Sequence, residues 1–356
     1  MCIRSKIPLS MTKHTNEKNK ERAMSTTLNW GLLSTARINR SLIKPILESE
    51  TSSLMAVGSR SQEKANAYAK EWSIPKAYGS YEALLSDPDI DVIYNPLPNS
   101  MHAEWTIKAA QQGKHVLCEK PLVPTLEEWA QIKTAADENK VTIFEAFMYL
   151  HHPQTITVLD MIRQGKIGSV QIINSWFSFY LAPEQSTNIR LNLDLAGGAF
   201  WDVGVYPNSM AIVMADAGAP VSVSASLMRG ETGVDVNMIG QLIFKNGVVG
   251  QTVCGFRMPF RQGTQIVGDS GSITIPEPWK PGMEGKDSRI LLELRDGQLK
   301  DIVIPAIDPY LCEVKAMEAC VLDGKEPIVP LSLSRDFLRS GLALYESART
   351  QETVKL

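Results

Sequence analysis

The chain has few of the residues that would suit it to an oxidising compartment or a metal centre. Of its 356 residues only five are cysteine and five histidine. Cys2, Cys118, Cys254, Cys312 and Cys320 form no CxxC pair, and so odd and scattered a set excludes a disulfide framework and reads as the reduced thiols of a cytoplasmic protein. His151 and His152 are adjacent, with no further ligand at a workable spacing, so no metal site is expected. No apolar run approaches the roughly 18 residues of a membrane span. A formal net charge of −3 leaves no basic footprint for nucleic acid. The segment before Trp30 carries Arg4, Lys6, Lys13, Lys18, Lys20 and Arg22 against Glu17 and Glu21, and lacks the apolar stretch of a secretory signal. Residues 1–27 are therefore expected to be a disordered tail, or sequence upstream of a start at Met24.

What remains is ordinary globular composition, 44% hydrophobic and 21% charged, over a length that suits two domains. From Leu28 to about Ala146, short apolar runs alternate with amphipathic segments. The runs at residues 29–33, 54–58, 92–94, 115–118 and 141–144 read as buried strands, and the continuous apolar character suits a parallel sheet covered on both faces. Helices are expected at Gln62–Glu71, Met101–Gln112 and Leu126–Asn139, the last opened by a Thr125/Glu128 capping box. This spacing predicts an α/β Rossmann domain, a doubly wound parallel sheet, over residues 28–149. After Leu150 the rhythm changes. One helix, Thr155–Gln164, precedes apolar-polar runs at 170–180, 221–228, 238–244, 248–256, 264–267 and 272–275, with Asn246-Gly247 as a tight-hairpin signal. Asp308-Pro309 opens a helix to about Leu322, and a last helix covers about Ser334–Thr350. Residues 150–356 are thus expected to form an α+β domain with a large, mostly antiparallel open sheet. The apolar alternation in Met238–Phe256 leaves a face that needs cover, hence a homodimer or higher homo-oligomer.

The first strand runs into Ser34-Thr35-Ala36-Arg37-Ile38-Asn39, where a dinucleotide fold would place G-x-G-x-x-G. All three glycines are replaced, yet small residues at a helix N-terminus still offer backbone N–H groups to a pyrophosphate. By itself the segment is equally an ordinary strand–helix turn. The second strand ends in Ser59-Arg60-Ser61, with Lys64 one turn on. An arginine in place of the acid that would take ribose hydroxyls suits the 2′-phosphate of NADP, with NAD still possible; the plain alternative is a solvated arginine.

The strongest signal is His115-Val116-Leu117-Cys118-Glu119-Lys120-Pro121, a strand that delivers Glu119 and Lys120 to the ligand-binding edge of the sheet. Pro121 restricts the backbone before it, so that the Lys120 ammonium is aimed. A lysine beside a carbonyl can polarise it or trade protons. Pro96, Leu97, Asn99 and His102 follow the neighbouring strand to the same edge. Far along the chain, Gly197-Gly198 leads into a helix on which Asp202 and Tyr206 share one face.

In these blocks, PNSMHAEW, AAQQGKHVLCEKPL, EAFMYLHHPQ and GGAFWDVGVYP, the chain resembles the glucose–fructose oxidoreductase / inositol dehydrogenase (Gfo/Idh/MocA) family over nearly all its length from Leu28 on. The tyrosine at position 206 resembles the branch with dihydrodiol and NADP-using xylose dehydrogenases. The resemblance implies an NADP-dependent oxidoreductase that moves a hydride to or from a carbinol or carbonyl carbon of a sugar-like or diol substrate. It makes Lys120 the catalytic lysine, Tyr206 the acid/base with a phenol pKa lowered by the ammonium, and Asp202 the holder of substrate hydroxyls or of Lys120. Tyr149 and Arg190 are expected to touch substrate. A redox-assisted glycoside-cleaving enzyme with tightly held NAD, and a non-catalytic cofactor-binding regulator, are the alternatives. Two departures stand out: the absent loop glycines, which bear on cofactor affinity, and Leu150 where relatives carry arginine.

Overall fold

The computed structural model describes residues 27–185 and 187–356, and the amino-terminal segment read as a tail lies outside them up to position 26. Six strands, β1 (Leu28–Leu33), β2 (Ser52–Gly58), β3 (Lys76–Tyr78), β4 (Val92–Asn95), β5 (His115–Glu119) and β6 (Ile143–Ala146), pair in parallel in the order β3-β2-β1-β4-β5-β6. Helices α1 (Asn39–Glu48), α2 (Gln62–Trp72), α3 (Tyr81–Leu85), α4 (His102–Gln111) and α5 (Leu126–Asn139) connect them. Strands β1, β4 and β5 bury Leu32, Ile93, Val116 and Leu117 completely, as a sheet covered on both faces requires. Connections run outward in both directions from β1 and β4, and the crevice between these strands is where an open α/β sheet binds its ligand. Thr125 caps α5 as its spacing predicts, accepting the Glu128 N–H at 3.2 Å, while the Glu128 carboxylate takes the Thr125 hydroxyl rather than its backbone N–H.

After α6 (Pro153–Arg163) comes β7 (Val170–Tyr180), and beyond α7 (Val205–Ala215) come β8 (Ser222–Arg229), β9 (Asp235–Ile243), β10 (Val249–Gly255), β11 (Arg257–Gly268), β12 (Gly271–Ile275), β13 (Ser288–Leu294) and β14 (Leu299–Ile304). With the terminal β15 (Val354–Lys355) they form a nine-stranded sheet, antiparallel except for the β7–β10 pair. Three of these strands were not expected from the sequence. β14, at the edge of the sheet, buries almost nothing and so carries little apolar alternation; β13 buries alternate residues, but its exposed Leu291 blurs the pattern. Asp296-Gly297 between them is the hairpin signal that marks them. β15 has only two residues.

One face of this sheet is covered by α7 and by α9 (Leu331–Thr350). Met238, Leu242, Phe244, Cys254 and Phe256 are buried, so most of the apolar alternation in Met238–Phe256 belongs to the covered face, and Ile239 is its main exposed member. The uncovered face carries Ile172, Met228, Ile239 and Leu291, all exposed, brought to one side by the strand registers. Helix α8 (Pro309–Asp323) returns to the first sheet and packs on α1, and its Glu318 accepts the hydroxyls of Ser49 and Ser52.

Candidate active site

The end of β5 carries Lys120 to the mouth of a cleft between the two sheets. Its ammonium donates to the Asp202 carbonyl oxygen at 2.6 Å, lies 3.5 Å from Asp202 Oδ1, and sits 5.1 Å from the centre of the Tyr206 ring. The side chain is only 13% exposed. Asp202 Oδ2 in turn accepts from Arg190 Nε at 2.6 Å, so one carboxylate joins the strand-end lysine to the loop that closes the cleft. Asn99, on the loop after β4, donates to the Ala196 carbonyl at 2.9 Å and fastens the other side of the same cleft. Residues from positions 98, 99, 120, 190, 198 and 202 thus line one concavity, and the chemistry-bearing residues of three distant blocks meet there.

Asp202 does not begin a regular helix. Residues Phe200–Gly204 form a π-helical turn before α7, a local widening that often marks functional sites, and it turns both the Asp202 carbonyl and its carboxylate toward Lys120. Tyr206, one position into α7, is 7% exposed. Its hydroxyl points to Met148 Sδ at 4.0 Å, a weak acceptor, and its ring is held edge-on by Phe147 and Phe177 and against Tyr149 and Trp279. The expected lowering of this phenol by the ammonium is not found. Burial pushes its pKa well above the ordinary value, with the acidic charges of Glu119 and Asp202 adding to the effect, and the ammonium meets the ring face rather than the hydroxyl.

Tyr149 is fully buried beneath Tyr206, and its hydroxyl is engaged with Ser209 Oγ at 2.8 Å. His102 is also fully buried, its ring between the Leu97 and Pro121 backbone carbonyls. Leu150 is a buried core residue. Glu119 accepts the Tyr94 hydroxyl at the end of β5, and burial raises its pKa. Sequence reasoning did not single out Glu145, buried in β6, or Trp279, which packs on the Tyr206 ring. Glu145 is a carboxylate inside a buried strand, which periodicity reads only as an interruption; Trp279 stands among Pro276, Pro278 and Pro281, a rigid setting that would have flagged it.

At the crevice between β1 and β4, α1 begins without a side-chain cap, and its first N–H groups, those of Asn39, Arg40 and Ser41, turn back on the carbonyls of Ala36, Arg37 and Ile38. Ser34, at the position of the first fingerprint glycine, adopts φ +78°, the conformation glycine would take. Asn39, at the position of the third, is fully buried and donates through Nδ2 to the Ser34 carbonyl at 2.9 Å. The loop therefore keeps a glycine-type path without glycine, tied down by an amide. Ser34→Gly is expected to stabilise the protein by about 1 kcal/mol, the cost of a left-handed non-glycine residue, without weakening cofactor binding; thermal melts with and without NADP check this. At the end of β2, Ser59 is buried, Arg60 exposed beside the Tyr81 phenol, and Ser61 is spent as the cap of α2, accepting the Lys64 N–H at 3.3 Å.

A doubly wound dinucleotide fold joined to an antiparallel sheet, with a lysine, a carboxylate and a buried phenol at the junction, defines a nicotinamide-dependent oxidoreductase. Residues 28–147 match the model of the oxidoreductase family with NAD-binding Rossmann fold, and residues 155–274 match the GFO/IDH/MocA C-terminal domain. The chain belongs to the Gfo/Idh/MocA oxidoreductase family. It is 35% identical over 328 residues to D-xylose 1-dehydrogenase (NADP(+)) 2 of Haloferax volcanii, covering 92% of this chain and 99% of that one. It is 32% identical over 268 residues to trans-1,2-dihydrobenzene-1,2-diol dehydrogenase of Xenopus laevis, covering 73% and 80%. A solved 3-ketoreductase from Actinomadura kijaniata, in complex with TDP-benzene and NADP, superposes with a TM-score of 0.77 at 28% identity over 91% of this chain and 97% of that one. Among the described residues no helix is long and apolar enough to cross a membrane.

Proposed function

We propose that this protein is an NADP-dependent dehydrogenase or reductase that acts on a carbinol or carbonyl carbon of a sugar-like substrate or a dihydrodiol. The observation that carries the reading is the Lys120 ammonium, held by Asp202 over the face of Tyr206 at the edge of the cofactor crevice. The residues of the first half hold the cofactor: the Ser34–Ile38 backbone its pyrophosphate, Arg60 with Ser59 and Lys64 its adenosine end, and Pro96, Leu97, Asn99 and Glu119 the nicotinamide side. When bound, the nicotinamide supplies or accepts the hydride.

Lys120 hydrogen-bonds the reacting substrate oxygen. Tyr206, a neutral phenol whose present acceptor is only a thioether, donates a proton to that oxygen as a carbonyl is reduced. Asp202 orients Lys120 and, with Arg190, meets neighbouring substrate hydroxyls. This division of labour puts cofactor binding in residues 28–149 and substrate binding mainly in 150–356. The named relatives are dehydrogenases and reductases, which supports hydride transfer over glycoside cleavage or a purely regulatory role. A panel of aldoses, ketosugars and diols, assayed at the nicotinamide absorbance band with NADP(H) and NAD(H), tests the proposal; no turnover on any member, with cofactor bound, would overturn it.

The same reading includes assembly in the cytoplasm as a homodimer across the open face of the nine-stranded sheet. Free thiols at Cys118, Cys254, Cys312 and Cys320 support the compartment, and exposed Ile172, Ile239 and Leu291 on one sheet face support the interface. Ile239→Lys is expected to convert the dimer to a monomer in light scattering at micromolar concentration. An unsubstituted protein that is already monomeric would count against the interface.

A further inference from the structure

One residue beyond Lys120, the peptide unit between Pro121 and Leu122 is gripped at both ends by side chains with no role in the reading above. Its carbonyl oxygen, on Pro121, lies 2.8 Å from His102 Nδ1. Its N–H, on Leu122, donates to Glu145 Oε1 at 2.8 Å. Both gripping side chains are inside the protein, His102 at 0% and Glu145 at 3% exposed. His102 stands at the start of α4, and Asn95 at the end of β4 fixes that start by donating to the His102 carbonyl at 3.2 Å. Its other ring nitrogen lies 2.7 Å from the Leu97 carbonyl, so the ring spans from the loop after β4 to the turn after β5. Glu145 comes from β6, whose register sets it opposite Cys118, two residues before Lys120. From there it reaches past the lysine to Leu122.

We propose that His102 and Glu145 are positioning residues that clamp the Pro121–Leu122 peptide and thereby aim the Lys120 ammonium at the cleft. The inference rests on the reading of Lys120 as the catalytic lysine. A peptide plane held at its oxygen and its nitrogen from opposite sides cannot rotate without breaking a contact. The proline ring fixes the backbone between that plane and Lys120, one residue back, so the lysine leaves the backbone in one direction. A displacement of about 1 Å in such a group costs on the order of 10²-fold in rate, so the clamp has a catalytic consequence out of proportion to its distance from the chemistry.

The carboxylate faces a small cavity shared with Trp129, Trp201, Ser334 and Phe337, so a truncated residue would enlarge a hole and endanger the fold. The test therefore uses Glu145→Met, close in size but without a carboxyl acceptor, beside Glu145→Gln, whose amide oxygen still accepts the Leu122 N–H. Glu145→Met is expected to lower kcat by about 10- to 100-fold with the NADP dissociation constant unchanged, and Glu145→Gln to recover most of that loss. At position 102, Asn presents a nitrogen near the Nδ1 place and retains more activity than Gln, which presents one near the Nε2 place. In a Lys120→Met background, Glu145→Met adds no further loss of kcat, which a merely structural role would not predict. Wild-type kcat in Glu145→Met, with Lys120→Met strongly impaired, overturns the clamp and leaves the lysine's role intact. Wild-type kcat in Lys120→Met overturns that role itself. Additive losses in the double variant, or equal losses in the Met and Gln variants, also overturn the clamp.

Discussion

Lys120→Met and Tyr206→Phe are each expected to lower kcat by about 10²–10⁴, the usual worth of general acid–base catalysis. In the proposed function both act at the substrate oxygen, which must gain or lose a proton as its carbon exchanges a hydride. The lysine is nearly enclosed, its ammonium bonded to the Asp202 carbonyl and close to its carboxylate, so methionine would remove the donor without much change in volume. The phenol is a neutral donor across the neutral range, because burial holds its pKa well above the ordinary value. The sign follows directly. A raised phenol pKa keeps the proton on the tyrosine as pH rises, so this group imposes no alkaline loss of reductase rate between about pH 6 and 9. In the oxidative direction the same shift makes the phenolate scarce, and the rate should climb with pH over that interval. Cofactor dissociation constants, read by nicotinamide fluorescence, should be unchanged in Tyr206→Phe. The double variant should lose little more than the worse single, since groups that act as a unit are not additive. Near-normal turnover of Tyr206→Phe on its substrate would return the tyrosine to the role of a packed helix residue.

Glu119-Lys120-Pro121 was legible because an apolar run of strand length ends in a charge pair and a proline, three signals that agree on a sheet edge. Asp202 and Tyr206 were legible as a pair by their spacing, but the π turn that holds Asp202 carries no compositional mark, so their shared helix face was drawn too regularly. The phenol's pKa was misread because sequence identifies the nearest charge and not the depth of burial, and here burial dominates. Depth is hidden in the same way at Tyr149 and His102: a polar side chain in a functional block reads as a ligand contact, whereas in the fold the Tyr149 hydroxyl engages Ser209 and the His102 ring lies between the Leu97 and Pro121 carbonyls. Sheet edges were weakest of all, since β14 has almost no buried side to pattern it.

Arg60 is expected to set the choice of cofactor. No acidic side chain stands at the end of β2 where one would take the ribose hydroxyls of NAD; Ser59, Arg60 and Ser61 stand there instead. A guanidinium binds a 2′-phosphate through two parallel N–H donors, and Arg60 is exposed, as a side chain must be to meet the adenosine end of a ligand in the crevice. Ser61 is already committed to capping α2, which leaves the arginine as the main phosphate donor and Lys64 as a second charge one turn away. Arg60→Ala should therefore weaken NADP binding by about 1.5–3 kcal/mol, roughly 10- to 100-fold in Kd, and leave NAD binding as it was. Because the contact is a charge pair at the surface, the NADP preference of the unsubstituted protein should also shrink as salt shortens the screening length toward about 3 Å near 1 M. Titration calorimetry with both cofactors at low and high salt measures all of these terms. Equal affinities for NADP and NAD in the unsubstituted protein at low salt would remove Arg60 from the site, because an exposed arginine that contacts no phosphate is only a solvated charge at a strand end.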